Sequence, residues 1–306
     1  MEPIVINGRE EILSVAVLID GKHFVSGDEK GKIRRWCIEG GKEVGTPMHA
    51  GSCVVDITVS RDGKVIVSGT NNGRVIVWNA KSRSKVTAFK AHTGWVFAVH
   101  ISPDATKIVT GSADHTACVW SLSTGKRLLS WKHDRSVLAA KFSPDGRLIA
   151  TATWDHSVRV HDSQNGILLV EFPVKVDSSY NHSLAWASDS KQLFAIAQDS
   201  YIHRVDVSTR IMLSKWHIHG SSDKPTTIAL AGNGTFITAS TRSSVSFWDT
   251  TSEEQIGTVI EYTHDIASVD MSPDYDLVIG GGEGITLRTL CGILPSHYLN
   301  NVSVTA

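Results

Sequence analysis

The chain has 306 residues, with 30 Lys and Arg against 31 Asp and Glu, for a formal net charge of −1. So even a balance argues against a general grip on nucleic acid, and no apolar run is long enough to span a membrane. The four cysteines, Cys37, Cys53, Cys118 and Cys291, show no CxxC spacing, so free thiols are expected rather than a metal knuckle.

In chain order, the first strand signal is the short β-branched run Ile4–Ile6. After it a pattern sets in and persists. Four-residue turns with Asp or Asn third place that residue at 20, 62, 104, 145, 189, 233 and 274, in steps of 42, 42, 41, 44, 44 and 41. A second ladder runs in phase, each member closing a short strand-like run: Trp36, Trp78, Trp120, His161, Val205, Trp248 and Arg288. The third period shows the unit. Val96–Ile101 is one apolar run, and 107–110, 116–120 and 128–131 are three more. They are separated by Ser102-Pro103-Asp104-Ala105, Gly111-Ser112-Ala113-Asp114-His115 and Ser123-Thr124-Gly125-Lys126. Four short strands divided by Asp, Gly, Pro and Ser clusters predict an antiparallel meander. A period in the low forties built of such units predicts propeller blades, none able to bury its own face alone. The reading is all-β: a single seven-bladed β-propeller of four-stranded antiparallel blades.

His92, Thr110-Gly111-Ser112, Asp114 and Trp120 are similar to the His, Ser/Thr, Asp and Trp positions of the WD-repeat family. The regular Ser-Pro-Asp-Gly and Thr-Gly-Lys turns most resemble the repeats of fungal and bacterial multi-repeat members. The resemblance implies that His92, Thr110, Asp114 and Trp120 form a hydrogen-bonded network inside the blade. A buried Asp needs partners, and His, hydroxyl and indole groups supply them. The other periods keep the pattern in part. His49, Ser68 and Trp78 are matched in the second, with Asn72 for Asp. His133, Thr151 and Asp155 are matched in the fourth, with His161 for Trp. Ser26 and Trp36 stand in the first with Lys30, Thr238 and Trp248 in the sixth with Arg242, and Asp199 alone in the fifth.

By the turn ladder, Ile4–Ile6 occupies an outer-strand position with no blade before it. It is expected to complete blade 7, beside Ile266–Met271, 277–279 and 285–287, and so to close the ring. Residues 1–290 are then the propeller, and 291–306 a tail or packing segment.

No Walker loop, GxSxG or HExxH is present. The run from Gly280 to Gly284 reads as a degenerate turn, and His217 with His219 as a polar loop lacking a third metal ligand. No cofactor and no metal are expected. A propeller enzyme would need polar groups on the channel-facing strands at 13–17, 55–59, 96–100, 138–142, 181–185, 226–230 and 267–271. These read as mostly small and apolar, with Asp56 and Asp270 as isolated carboxylates, so an axial active site is the weaker alternative. The resemblance implies instead a non-catalytic scaffold that binds a protein or peptide, and the composition fits a cytoplasmic or alternatively nuclear monomer that binds neither nucleic acid nor membrane. No Trp-Asp-x-Arg follows strand c, which marks down a ubiquitin-ligase receptor role. The partner site is expected on the face carrying the d–a loops and b–c turns, over blades 3 to 5. There Trp95, Trp154 and Tyr180 align, with Arg135 between them, while Glu10, Glu11, Glu29 and Asp265 lie on the opposite side. Aromatics and Arg are the types enriched at hot spots.

Overall fold

In the computed structural model seven four-stranded antiparallel sheets follow one another along the chain. The structure describes residues 4–6, 10–154, 157–174, 184–197, 200–218, 227–231, 234–241, 243–262, 265–272, 277–289 and 294–295. Strands a to d of blade 1 are Ile12–Val17, His23–Asp28, Lys32–Cys37 and Met48–His49, and those of blade 2 are Val54–Val59, Val65–Thr70, Arg74–Asn79 and Lys85–Lys90. Blade 3 is built from Val96–Ile101, Lys107–Ser112, Thr116–Ser121 and Arg127–Lys132, and blade 4 from Val137–Phe142, Leu148–Thr153, Ser157–Asp162 and Leu168–Phe172. Blade 5 has Leu184–Trp186, Gln192–Ile196, Tyr201–Asp206 and Ile211–His217, and blade 6 has Thr227–Leu230, Phe236–Ser240, Ser244–Asp249 and Gln255–Glu261. Blade 7 takes Ile266–Met271, Leu277–Gly282 and Ile285–Thr289, and its fourth strand is Ile4–Ile6, paired as Ile4 with Leu287 and Ile6 with Ile285.

The turn ladder folds as it does for a local reason. Asp20, Asp62, Asp104, Asp145 and Asp189 each accept, through Oδ1, the backbone N–H two residues on. Ser60, Ser102 and Ser143 donate their hydroxyls to the Asp of their own turn. A side chain that satisfies the turn's own backbone makes the turn independent of its neighbours, so it survives where other blade positions have diverged.

The apolar core is divided among the blade interfaces. Seven clusters of buried residues each join two adjacent blades. The one between blades 7 and 1 packs Ile279, Ile285 and Leu287 against Ile12, Val15, Phe24 and Trp36. Close approach needs a missing side chain on strand b. A Cβ on Gly27 would come within 2.5 Å of Val54, one on Gly69 within 2.7 Å of Val96, and one on Gly111 within 2.8 Å of Val137. Gly281 meets Val15 at 2.8 Å across the closing interface. The glycine cluster of blade 7 is thus a packing device, with Gly280 to Gly282 inside the strand rather than wholly in the turn. Leu294 is buried in the cluster beneath blades 6 and 7.

Candidate functional site

Strand a carries a bulge at the same place in five blades, between Ile12 and Ser14, Val54 and Asp56, Val96 and Ala98, Val137 and Ala139, and Ile266 and Ser268. A bulge re-aims the side chains beside it, and here polar groups from neighbouring blades meet around the axis. Asp56 Oδ1 accepts the Ser14 hydroxyl at 3.0 Å and the Ile57 N–H at 2.8 Å, and its Oδ2 accepts the Val99 N–H at 2.8 Å. One carboxylate therefore ties blades 1, 2 and 3. Across the closure, Ser268 Oγ accepts the Val15 N–H at 3.2 Å and Asp270 accepts the Val17 N–H at 2.9 Å. His100 Nδ1 accepts the Phe142 N–H at 3.2 Å, joining blades 3 and 4.

The expectation of isolated carboxylates in an apolar channel is therefore corrected. Asp56 and Asp270 are bonded across blades, and His100 and Lys141 line the same channel. A lone polar residue in an apolar strand gives no sign of its partner when that partner lies some 42 positions away, one blade further round.

The blade 3 residues meet as one chain of hydrogen bonds. The Trp120 indole N–H donates to Thr110 Oγ1 at 2.9 Å, and that oxygen lies 2.7 Å from His92 Nε2. His92 Nδ1 lies 3.0 Å from Asp114 Oδ2, and Asp114 also accepts the Thr93 and Thr116 N–H groups and the Thr116 hydroxyl. A neutral His92 carrying its proton on Nδ1 satisfies every step, with the Thr110 hydroxyl donating to Nε2. Burial holds the His92 pKa below its usual value, against the pull of Asp114, which agrees with the neutral form.

Other blades solve the same problem differently. His49 is exposed and pairs with Lys32 in the outer strand of blade 1, so it is no counterpart of His92. The buried Ala50 stands 42 residues before His92, and a one-residue offset puts His49 on the opposite face of its strand. In blade 1 the carboxylate is the fully buried Asp28, which caps the Lys30 and Lys32 N–H groups and pairs with Arg34 of strand c. Trp248 of blade 6 donates to Ser246 at 2.9 Å, whereas Thr238 donates to the Ala229 carbonyl. In blade 4 the buried His161 ring takes the Trp position against Trp131 at 4.8 Å, and burial lowers its pKa. Asp155, Asp199 and Arg242 lie outside the described residues.

At the end bearing the d–a loops and b–c turns, which we call the top, two loops in each of blades 1 to 4 are sewn together by one repeated bond. The N–H of Glu29, Asn71, Ala113 and Trp154 donates to the carbonyl of Glu11, Cys53, Trp95 and Ser136, respectively, at 2.9–3.1 Å. This places Trp95 and Trp154 on adjacent blades at one end of the molecule. They are 49% and 46% exposed, while the other seven tryptophans are buried or half-buried. Arg135, in the loop between them, is exposed as well. Tyr180 lies outside the described residues. On the other side of the top, Glu11, Glu29 and Asp265 are exposed, and Glu10 pairs with Lys32 and Arg34. Cys53 stands beside this acidic side. Half burial, then the fields of Glu29, Asp28 and Glu11, push its thiol up to about 11, which leaves it protonated and unreactive at neutral pH.

The fold is a seven-bladed propeller whose top carries two half-exposed tryptophans. A family model described as WD domain, G-beta repeat matches residues 41–79, 83–121 and 125–162, and these three repeats, set in a ring of seven four-stranded sheets, support a WD-repeat β-propeller. The match over 83–121 runs from the outer strand of blade 2 through strand c of blade 3. The sequence repeat therefore straddles two blades, as Ile4–Ile6 and blade 7 do at the closure. No curated protein matches the chain.

Proposed function

We propose that the chain is a non-catalytic scaffold that holds a protein or peptide segment on its top face. Trp95 and Trp154 are the anchors, Arg135 is a polar contact between them, and Tyr180 extends the same side. WD-repeat propellers are generally interaction modules, which is the coarser part of this reading. The observation that carries the finer part is the pair of half-exposed indoles on neighbouring blades, in a molecule that otherwise covers its tryptophans. Large exposed aromatic surface costs solvation free energy that a partner recovers. No helix among the described residues is long and apolar enough to cross a membrane, and we place the scaffold in the cytoplasm as a monomer. Residues 1–290 form the propeller in this reading, with 291–306 a tail or packing segment, and the burial of Leu294 supports packing at that position.

The test is affinity capture from the source cell with the full chain and with the double variant Trp95→Ala, Trp154→Ala, followed by mass spectrometry. Loss of the captured partner in a variant that melts like the parent is the expected result. Equal recovery by both proteins overturns the top-face assignment.

A further inference from the structure

Each blade ends in an outer strand whose far edge pairs with no other strand among the described residues. Such an edge directs alternate N–H and C=O groups to solvent and invites another strand. Most blades guard it. The outer strands of blades 1 and 7 have only two and three residues. Those of blades 2 and 3 begin and end in exposed cations, Lys85 and Lys90, and Arg127 and Lys132. That of blade 6 runs from Gln255 to Glu261 and carries Gly257 at positive φ. The outer strand of blade 5, Ile211–His217, has seven residues and no such guard at its lower end. It opens on Ile211, Met212 and Leu213, which are 56%, 38% and 45% exposed. Ile167 and Leu168 are exposed at the same end of the neighbouring blade 4.

The charges around this edge are one-sided. Arg210 precedes the strand, Lys215 lies within it, and Lys191 stands on the adjoining a–b loop, where its carbonyl accepts the Val207 N–H; all three are exposed. The acids of the same turns face their own backbone. Asp189 accepts the N–H groups of Lys191 and Gln192, and Asp206 accepts the Ser208 hydroxyl and the Thr209 N–H. Glu253 of blade 6 is engaged by the Ser214 hydroxyl and by Arg204. An apolar edge flanked by cations fits a strand that alternates apolar and acidic residues and pairs its main chain with the open edge. A second copy would set the same cations against themselves. An anionic membrane would meet the charges, but burying the apolar side chains would carry unpaired N–H and C=O groups toward hydrocarbon. We propose that the outer edge of blade 5 is a docking surface distinct from the top face. It takes an extended segment of a partner protein, alternating apolar and acidic residues, as an added strand along Ile211–His217.

The probes are short synthetic peptides alternating Val with Glu and, separately, Val with Lys, each titrated against the full chain by fluorescence anisotropy. The Val-Glu peptide should bind saturably and roughly tenfold or more tighter than the Val-Lys peptide. Ile211→Thr with Leu213→Thr removes apolar contact while keeping strand propensity, and raises the dissociation constant roughly tenfold. Val86→Thr with Leu128→Thr leaves it unchanged. Those two residues are at least as exposed as Leu213 and, like it, are the extra residue of an outer-strand bulge. Bound peptide slows amide exchange across Ile211–His217 and not across Lys85–Lys90. No saturable binding, equal binding of the two peptides, or an unaltered constant in the Ile211, Leu213 variant overturns the proposal. So does a parent that dimerises and becomes monomeric in that variant, or one that binds phosphatidylserine vesicles more tightly than the peptide. Should that variant not fold, exchange in the parent decides, and unchanged exchange across Ile211–His217 overturns the proposal.

Discussion

His92 and His49 look alike in the sequence and differ in every physical respect. One is buried and bonded at both ring nitrogens, while the other is exposed on an outer strand. Asp114→Ala strands His92 without its acceptor and should cost about 1–3 kcal/mol, the usual penalty for an orphaned buried group. His49→Ala should stay within about 0.5 kcal/mol of the parent, as surface changes do. Urea titration of both variants checks the contrast. The buried rings also set an acid limit. Burial lowers the pKa of both His92 and His161, so each stabilises the folded state fully above the unfolded value of 6.5 and loses that contribution as pH falls below it through the folded value. His161→Trp removes the His161 share, and its stability should fall less steeply than the parent's as pH drops below 6.5. A parallel pH profile would count against this assignment. The blade 3 tetrad was legible because its four residues stand at family spacing. The Asp28–Arg34 pair of blade 1 and the Trp248–Ser246 pair of blade 6 were not, because each replaces a lost partner from a position that carries no motif.

At the scale of the element, strand boundaries followed the turns, and the turns were legible because an Asp or Asn bonding its own backbone is a local event. The channel was not. Ser14, Asp56 and Val99 are brought together by a bulge and a blade-to-blade step, and neither appears in a window of a few residues. The strand-b glycines are an intermediate case, since a Gly inside a strand pattern signals close approach without naming the neighbour. Gly111→Ala would drive a methyl to 2.8 Å from Val137 Cγ1 and 3.0 Å from its carbonyl oxygen. The second contact is backbone and gives little, so a cost of about 1–3 kcal/mol is expected from overpacking. Blade 4 already carries the buried Ala152 one period later, so Ala152→Gly should instead lose stability through a small void and a more flexible strand. Opposite substitutions should thus both destabilise, and a denaturant series on the two single variants decides it.

The whole molecule has seven interface clusters and a ring that must be closed for each to have both sides. A repeat array that stays open behaves as a chain of neighbour contacts and loses stability piecemeal from its ends. Closure removes the ends. Here it rests on three kinds of contact between blades 7 and 1: the pairing of Ile4–Ile6 with Ile285–Thr289, the bonds from Val15 and Val17 to Ser268 and Asp270, and the packing of Ile12 and Val15 onto Gly281. Deleting residues 1–8 removes only the first. Blade 7 would then expose the edge of its third strand, with unpaired N–H and C=O groups and the apolar Ile285 and Leu287 less covered. The remaining contacts are inner-strand contacts, which hold blade 1 to blade 7 but do not shield that edge. The truncated chain should therefore fold, melt at a lower temperature, and show a broader transition in which blade 7 loosens first. Hydrogen exchange should find protection lost in Ile285–Thr289 and Leu277–Gly282 before it is lost in blade 3. A truncated chain that melts as sharply and as high as the parent, with blade 7 still protected, would show that the inner-strand contacts close the ring without Ile4–Ile6.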